Sequence, residues 1–217
     1  MSSIKRRPHI LRREKTLAMP RHLLFFDTET KQEDLKDGGI KQSLQLGWGC
    51  YLQRAYNRNR EQYHWCNFRN AGDFWKFTFS HTAPKRKLWV LARNLVFDFT
   101  IAEGWKYLRK AGFKLKFFHS SGTCSIISVK GKNGSIVFLD IMNWFVESLE
   151  KTGQRIGMPK LKIDFETCTD SYLNTYCKRD VEIEIENFKR FIKFLEDNSV
   201  ARLCYTRAST AMAAYLL

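Results

Sequence analysis

Acidic residues are scarce in this chain, with 22 Asp and Glu against 37 Lys and Arg in 217 residues. The net charge of +15 is typical of domains that bind a polyanion, either nucleic acid or an acidic membrane surface. No apolar run reaches the length of a transmembrane helix, and the N-terminus lacks the apolar stretch of a secretory signal. We therefore expect an intracellular protein whose polyanionic partner is nucleic acid and not a membrane.

Closely spaced cysteines are also missing, because none of the six forms a C-x-x-C pair of the kind that zinc knuckles use. Disulfides would imply a secreted protein, so we expect reduced cysteines. Hydrophobic residues make up 44% of the chain and aromatic residues 14%, which is enough for one sizeable core and excludes a disordered chain. Lys and Arg are interleaved with Trp, Tyr and Phe, a mixture that suits a groove for a flexible nucleic-acid strand.

The sequence divides into three segments. Residues 1–21 are rich in Arg and Lys without sustained periodicity, and we predict a basic arm there. Residues 22–200 are predicted to form one α/β domain, and residues 201–217 a helical tail or a junction to a further domain. If the tail is only a junction, a chain that ends near residue 200 is expected to fold and to keep its activity.

Hydrophobic periodicity predicts the main elements of the central segment. Strands are expected at residues 23–26, 43–56, 62–68, 88–92, 124–130 and 135–140, the last two as a hairpin around residues 131–134. Helices are expected at residues 73–79, 97–110, 145–152 and 171–197. Three early strands followed by alternating helices and strands predict an α/β fold, a mixed sheet flanked by helices.

Two carboxylates follow the first predicted strand, in the sequence Phe26-Asp27-Thr28-Glu29-Thr30. Side chains two residues apart on a strand share a face, so Asp27 and Glu29 are expected to point the same way. Such carboxylates repel each other unless a cation lies between them, and hard divalent ions prefer oxygen ligands. Alone the pattern is weak, because solvated acidic turns are more common than metal sites.

Two further acidic segments strengthen the metal hypothesis. The run Asn94-Leu95-Val96-Phe97-Asp98 places Asp98 at the start of a helix, where an Asp is ordinarily a cap. In Tyr176-Cys177-Lys178-Arg179-Asp180 a spacing of four puts Tyr176 and Asp180 on one helix face.

Together the three segments read F-D-x-E-T, N-x-x-F-D and Y-x-x-x-D, a pattern that resembles the DEDD 3′→5′ exonuclease family. The resemblance is to its tyrosine subclass, because Thr175 stands where the sister subclass has a His.

Other segments resemble the proofreading exonuclease domain of type B DNA polymerases, in the organellar, plasmid and phage branch that includes protein-primed enzymes. Ser148-Leu149 is similar to its S/T-L motif, although Thr152 replaces an apolar residue, and Lys160-Leu161-Lys162-Ile163 is similar to its lysine motif. The resemblance covers roughly residues 23–215. It leaves open whether the chain is part of a polymerase or a stand-alone relative.

The resemblance implies an RNase H-like fold and hydrolysis of single-stranded DNA to nucleoside 5′-monophosphates with two divalent ions, Mg²⁺ or Mn²⁺. It assigns Asp27, Glu29, Asp98 and Asp180 to the ions and Tyr176 to orienting the attacking water. Residues implied to contact the strand are Thr30, Asn94, Phe97, Ser148, Leu149 and Lys160. The tail is implied to lead towards a polymerase domain or another protein partner.

Two alternatives stay open: an RNA-directed 3′→5′ exonuclease, and a nucleic-acid-binding module with little activity. DNA and RNA differ in how the 2′-hydroxyl is received, which the sequence does not reveal. The presence of all four acids favours an active enzyme over the binding module. His119 and the run His64-Trp65-Cys66 are interpreted as ordinary side chains and not metal ligands, and Asp140 as the cap of a turn.

Overall fold

The computed structural model describes residues 17–55, 60–199 and 202–217. The strands in these ranges are β1 His22–Asp34, β2 Ile40–Gln53, β3 Gln62–Phe68, β4 Lys87–Ala92, β5 Lys114–Ser121, β6 Cys124–Gly131 and β7 Gly134–Asp140. The α-helices are α1 Ala71–Ser80, α2 Leu95–Ile101, α3 Gly104–Lys110, α4 Leu149–Ile156, α5 Asp170–Asp197 and α6 Arg207–Tyr215, with a 3-10 turn at Ile141–Asn143. Residues 1–16 of the predicted basic arm lie outside the described residues.

The described strands form one seven-stranded sheet in the order β3-β2-β1-β4-β7-β6-β5. The central pairs β1/β4 and β4/β7 are parallel, and the outer pairs are antiparallel. The predicted mixed sheet flanked by helices is therefore confirmed. Among the described residues no helix combines the length and the apolar character that crossing a membrane requires, and no disulfide joins the six cysteines.

Alternation along β1 divides the hydrophobic core between the two faces of the sheet. Leu23 and Phe25 pack with the apolar face of the long helix α5. Leu24 and Phe26 point the other way and pack with α1, α2 and α3. The side chains of Asp27 and Glu29 continue the α5 face beyond these core residues.

Several elements differ from the predictions. The first strand does not end at Phe26 but continues to Asp34, because β2 pairs with it throughout. The helix predicted at residues 97–110 is two helices, broken where Glu103 adopts a left-handed conformation and Gly104 lies against the Phe99 ring, too close for a Cβ. The edge strand β5 was not predicted, since every residue of it is exposed and the pattern has no buried face.

The helix predicted at residues 145–152 begins only at Leu149, where the Ser148 hydroxyl caps it. The segment after α5 returns to the same body of the protein. Leu203 is 4% exposed within the α5 core, and the carbonyls of Cys204 and Tyr205 accept hydrogen bonds from the side chains of Trp144 and Asn143.

Candidate active site

Asp27 and Glu29 lie where β1 loses one of its two neighbours. β4 pairs only with residues Leu23 to Phe25, so beyond Phe25 that edge of β1 is open towards α2. One carboxylate oxygen of Asp27, one of Glu29 and the Cys177 sulfur lie within 4.8 Å of one another. The Cys177 thiol lies 3.7 Å from Asp27 Oδ2. Burial raises the pKa of that thiol well above its usual value, so it is protonated and donates to Asp27.

Asp98 lies in the first turn of α2 and is 2% exposed. Its Oδ1 accepts a hydrogen bond from Thr28 Oγ1 at 2.5 Å, which joins the helix to β1 between the two acids. Burial raises the pKa of the Asp98 carboxyl well above its usual value, and the hydrogen bonds from Thr28 oppose this only in part. The left-handed backbone of Asn94, with φ of 59°, makes the sharp turn from β4 into α2, which asparagine tolerates better than most residues.

Asp180 and Tyr176 project from one face of α5, and Lys160 lies against both. Lys160 Nζ is 2.5 Å from Asp180 Oδ2 and 4.6 Å from the centre of the Tyr176 ring, and it is hydrogen-bonded to the Tyr176 hydroxyl. Burial lowers the pKa of Lys160, but the attraction of Asp180 outweighs it and the amine stays charged. Burial raises the pKa of the Tyr176 hydroxyl, which is therefore neutral.

Burial raises the pKa of all four acids, and repulsion from neighbouring acids raises it further in Asp27, Glu29 and Asp98. Burial, then repulsion from Asp98, Asp180 and Glu29, raises the pKa of Asp27 well above its usual value. Burial, then repulsion from Asp180, raises the pKa of Glu29 to about 7. Because both effects disfavour the charged forms, the group binds protons or another cation more readily than isolated carboxylates do.

The donor set fits a hard divalent ion. All four acids offer carboxylate oxygens, the ligands that Mg²⁺ and Mn²⁺ prefer. Asp180 Oδ1 is buried and has no hydrogen-bond partner in the described structure, so a cation there would satisfy an otherwise costly atom. Asp98 and Asp180 lie outside the tight group of Asp27, Glu29 and Cys177.

A cleft of about 770 Å³ opens beside Glu29, the one of the four acids that lines it. Glu29, Thr30 and Phe97 line it together with Phe165, whose ring is 61% exposed and makes an edge contact with the Tyr176 ring. Leu149 borders a small gap with Asp27 and Asp180.

Two other predicted strand contacts lie outside the cleft wall. Asn94 is exposed at the start of α2. The Ser148 hydroxyl accepts a hydrogen bond from the backbone of Lys151, which gives it a structural role at the start of α4.

The sequence prediction missed a buried ion pair behind the acids. Arg93, next to Asn94, contacts the Glu184 carboxylate and the carbonyl of Glu147, and Arg93 Nη2 lies 3.3 Å from Thr152 Oγ1. Glu184 is one helical turn after Asp180. Thr152, which departs from the apolar residue of the family motif, is thus a polar member of this network. The only sequence signal was an Arg beside a motif and a Glu four residues after another.

The side chains interpreted as ordinary have structural contacts. Asp140 caps the 3-10 turn and accepts a hydrogen bond from the backbone of Leu95 at 2.9 Å, which confirms a capping role and adds an anchor for α2. In the described part of the chain, His64, Cys66 and His119 belong to no group of three potential metal ligands. His64 lies against the rings of Tyr51 and His81.

Comparison with known proteins gives structural neighbours only. No protein-family model matches the chain, and no curated protein matches it in sequence. It is similar to "Phi29 DNA polymerase complexed with primer-template DNA (post-translocation binary complex)", with a TM-score of 0.58 and 14% identity over 88% of this chain and 34% of that chain. It is equally similar, with 16% identity and the same coverage, to "Phi29 DNA polymerase complexed with single-stranded DNA", again with a TM-score of 0.58.

At these identities the likeness is one of fold. The chain spans about a third of the length of the polymerase chains it matches. The predicted RNase H-like architecture is confirmed, and the predicted relation to DNA polymerases holds at the level of the fold.

Proposed function

We propose that this protein is a metal-dependent 3′→5′ exonuclease that removes nucleotides from single-stranded ends of DNA. One observation carries the proposal. Four acids from β1, α2 and α5 interact electrostatically next to a cleft that Glu29 lines. Their pKa values are raised, and Asp180 Oδ1 is buried without a partner in the described structure. A fold shared with a DNA polymerase that was solved with primer-template and with single-stranded DNA supports DNA as the substrate.

The four acids Asp27, Glu29, Asp98 and Asp180 would hold two divalent ions. Ions bound there supply an activated water and neutralise the charge of the phosphodiester. The protein keeps these acids in place with buried contacts: Thr28 holds Asp98, Lys160 holds Asp180, and the Cys177 thiol donates to Asp27.

Tyr176 and Lys160 act beside the acids in this proposal. A neutral Tyr176 hydroxyl is a poor base but can donate or accept the hydrogen bond that orients a water. Lys160 is charged and lies between Tyr176 and Asp180, a position from which it can neutralise a substrate phosphate. The exposed Phe165 ring and the half-buried Phe97 offer surfaces for unpaired bases in the cleft.

The test uses 5′-labelled single-stranded DNA and RNA, incubated with the protein and Mn²⁺ or with EDTA. We expect a ladder that shortens from the 3′ end on DNA, no cleavage in EDTA, and a loss of several orders of magnitude in Asp27→Asn. Asp37→Asn, which removes an exposed carboxylate at the β1–β2 turn, is the matched control and should cleave like the parent. Undiminished hydrolysis in excess EDTA would contradict the proposal, and faster cleavage of RNA would replace DNA with RNA as the substrate.

A further inference from the structure

A long stretch of the chain has no acidic residue at all. Asp and Glu occur at about one position in ten overall, yet residues 104–139 contain none. The same stretch carries Lys106, Arg109, Lys110, Lys114, Lys116, Lys130 and Lys132. Lys106 is paired with Glu103, and none of the other six forms an ion pair with any described residue. This part of the surface therefore has a positive charge that the protein itself does not neutralise.

Large apolar side chains are exposed on the same surface. Every residue of the edge strand β5 is exposed. The ring of Phe118, 52% exposed, makes an edge contact at 6.0 Å with the ring of Trp105, which is 43% exposed. Arg109 is exposed one helical turn after Trp105, so the two lie on the same face of α3.

Protection of a sheet edge explains only part of this surface. Lysines on an edge strand discourage pairing with another chain, and Lys114 and Lys116 fit that role. Exposed phenylalanines and a tryptophan do not, because they make an edge more adhesive. Cations beside exposed rings are the combination that binds single strands, with phosphates on the cations and bases on the rings.

We propose that the α3–β5 surface, formed by Trp105, Arg109, Leu115 and Phe118, binds a single-stranded nucleic acid outside the cleft. Because residues 104–139 contain no acidic residue, this surface favours a polyanion as its ligand. The contacting rings of Trp105 and Phe118 favour unpaired bases over a closed duplex. Trp105 packs on Phe99, the neighbour of Asp98, so the surface begins one helix away from the acids. The inference rests on the proposed function for the class of ligand but not on hydrolysis.

Binding is measured by fluorescence anisotropy with labelled oligothymidylate of about 20 nucleotides in EDTA, so that no cleavage intervenes. We expect Phe118→Ala to weaken binding at least about fivefold, as removal of one stacked base does. Phe118→Leu keeps the apolar contact and should show a similar loss. Arg109→Glu should reduce the slope of log K against log salt by roughly 0.7 or more, the value for one phosphate contact on a single strand.

The controls are Phe194→Ala and Arg190→Glu, an exposed aromatic and an exposed cation on α5, which packs on the opposite face of the sheet. Both should bind like the parent. Parent-like binding by Phe118→Leu, Phe118→Ala and Arg109→Glu would overturn the proposal. So would a parent dimer that Phe118→Ala converts to a monomer without a change in DNA binding, because the surface would then serve a second copy of the chain.

Hydrolysis of a dinucleotide separates this inference from the proposed function. The surface variants should cleave a dinucleotide like the parent, because so short a substrate does not leave the cleft. An inactive parent whose Phe118→Ala variant still loses affinity would refute the nuclease and keep the surface. An active parent whose surface variants bind with unchanged affinity would keep the nuclease and refute the surface.

Discussion

At the scale of single residues, Tyr176 is the side chain for which a catalytic and a structural role predict different results. The Tyr176 hydroxyl is hydrogen-bonded to the Lys160 amine, and the Tyr176 ring packs between that amine and the Phe165 ring. Tyr176→Phe keeps both ring contacts and removes only the hydroxyl. We expect a loss of roughly tenfold to a thousandfold in cleavage rate with a nearly unchanged Tm, because one positioned hydrogen bond is lost.

Rate and Tm must be measured on the same preparation. Tyr215→Phe, which alters a tyrosine that is 77% exposed on α6, is the matched control and should match the parent in both. A lower Tm with a normal rate per folded molecule would assign Tyr176 to the core and remove it from the catalytic residues.

Glu29 gives the pH dependence of the metal-free protein. Its pKa rises from 4.5 to about 7 on folding, so the folded state binds the extra proton between these values. Stability therefore falls as the pH rises through this window, and the full penalty is present above pH 7. We expect Glu29→Gln to have a higher Tm than the parent at about pH 8 in EDTA. The difference in Tm between Glu29→Gln and the parent should shrink as the pH falls towards 4.5. A difference that is constant across this range would exclude titration of Glu29 as its cause.

At the scale of secondary-structure elements, Arg93 ties three of them together behind the acids. It follows β4 and contacts Glu184 of α5 and Thr152 of α4. In Arg93→Met the Glu184 carboxylate stays buried without its partner, and we expect a loss of roughly 3–5 kcal/mol in the free energy of unfolding. Denaturant titration measures this loss in the free energy of unfolding.

Two further variants check this prediction. The double variant Arg93→Met/Glu184→Met should recover most of the loss, because no uncompensated charge remains. Arg190→Met removes an exposed partner of Glu186 and should cost only about 0–1 kcal/mol. If the double variant is less stable than Arg93→Met, the pair stabilises the fold beyond cancelling its own charges.

The sequence predicted the elements whose apolar residues form a periodic pattern or a continuous run. The α5 helix has its apolar residues at helical spacing, and β6 and β7 are apolar segments on either side of a glycine turn, so all three were predicted close to their true bounds. The exposed β5 has no such pattern. The split between α2 and α3 depends on a tertiary contact, that of Gly104 with the Phe99 ring, which periodicity does not encode.

The same distinction holds for the site. The carboxylates were found because motifs fix their spacing along the chain. The ion pair of Arg93 and Glu184 joins residues 91 positions apart, and the thiol of Cys177 reaches an acid 150 positions away. Only the folded chain brings such residues together.

At the scale of the whole molecule, the C-terminal segment tests whether the body is complete without it. Leu203 is buried in the α5 core, Thr210 and Ala213 of α6 are buried, and two backbone carbonyls bind core side chains. We expect a chain that ends at Ser199 to lose at least about 2 kcal/mol of stability, because burial of Leu203 alone contributes that much. The loss of stability is measured by comparing the Tm and the solubility of the shortened chain with those of the parent.

A chain that ends at Thr206 is the control, since it keeps Leu203 and both carbonyl contacts and loses only α6. Its Tm should lie between that of the parent and that of the chain ending at Ser199. If the chain ending at Ser199 melts like the parent and keeps its activity, the segment is not part of the core of this domain.

The long first strand has a mechanical consequence. β1 is paired on both sides from Leu23 to Phe25, and side-chain contacts with α2 and α5 hold it at Asp27 and Thr28. From Thr30 to Asp34 it pairs only with β2, after a bulge at Glu29. The strand is therefore stiff up to the acids and compliant at its far end, where Lys31, Gln32 and Glu33 line the cleft. We expect this far end to move more readily than the part of the strand that carries the carboxylates. Backbone amides of residues 31–34 should accordingly exchange with deuterium much faster than those of residues 23–25.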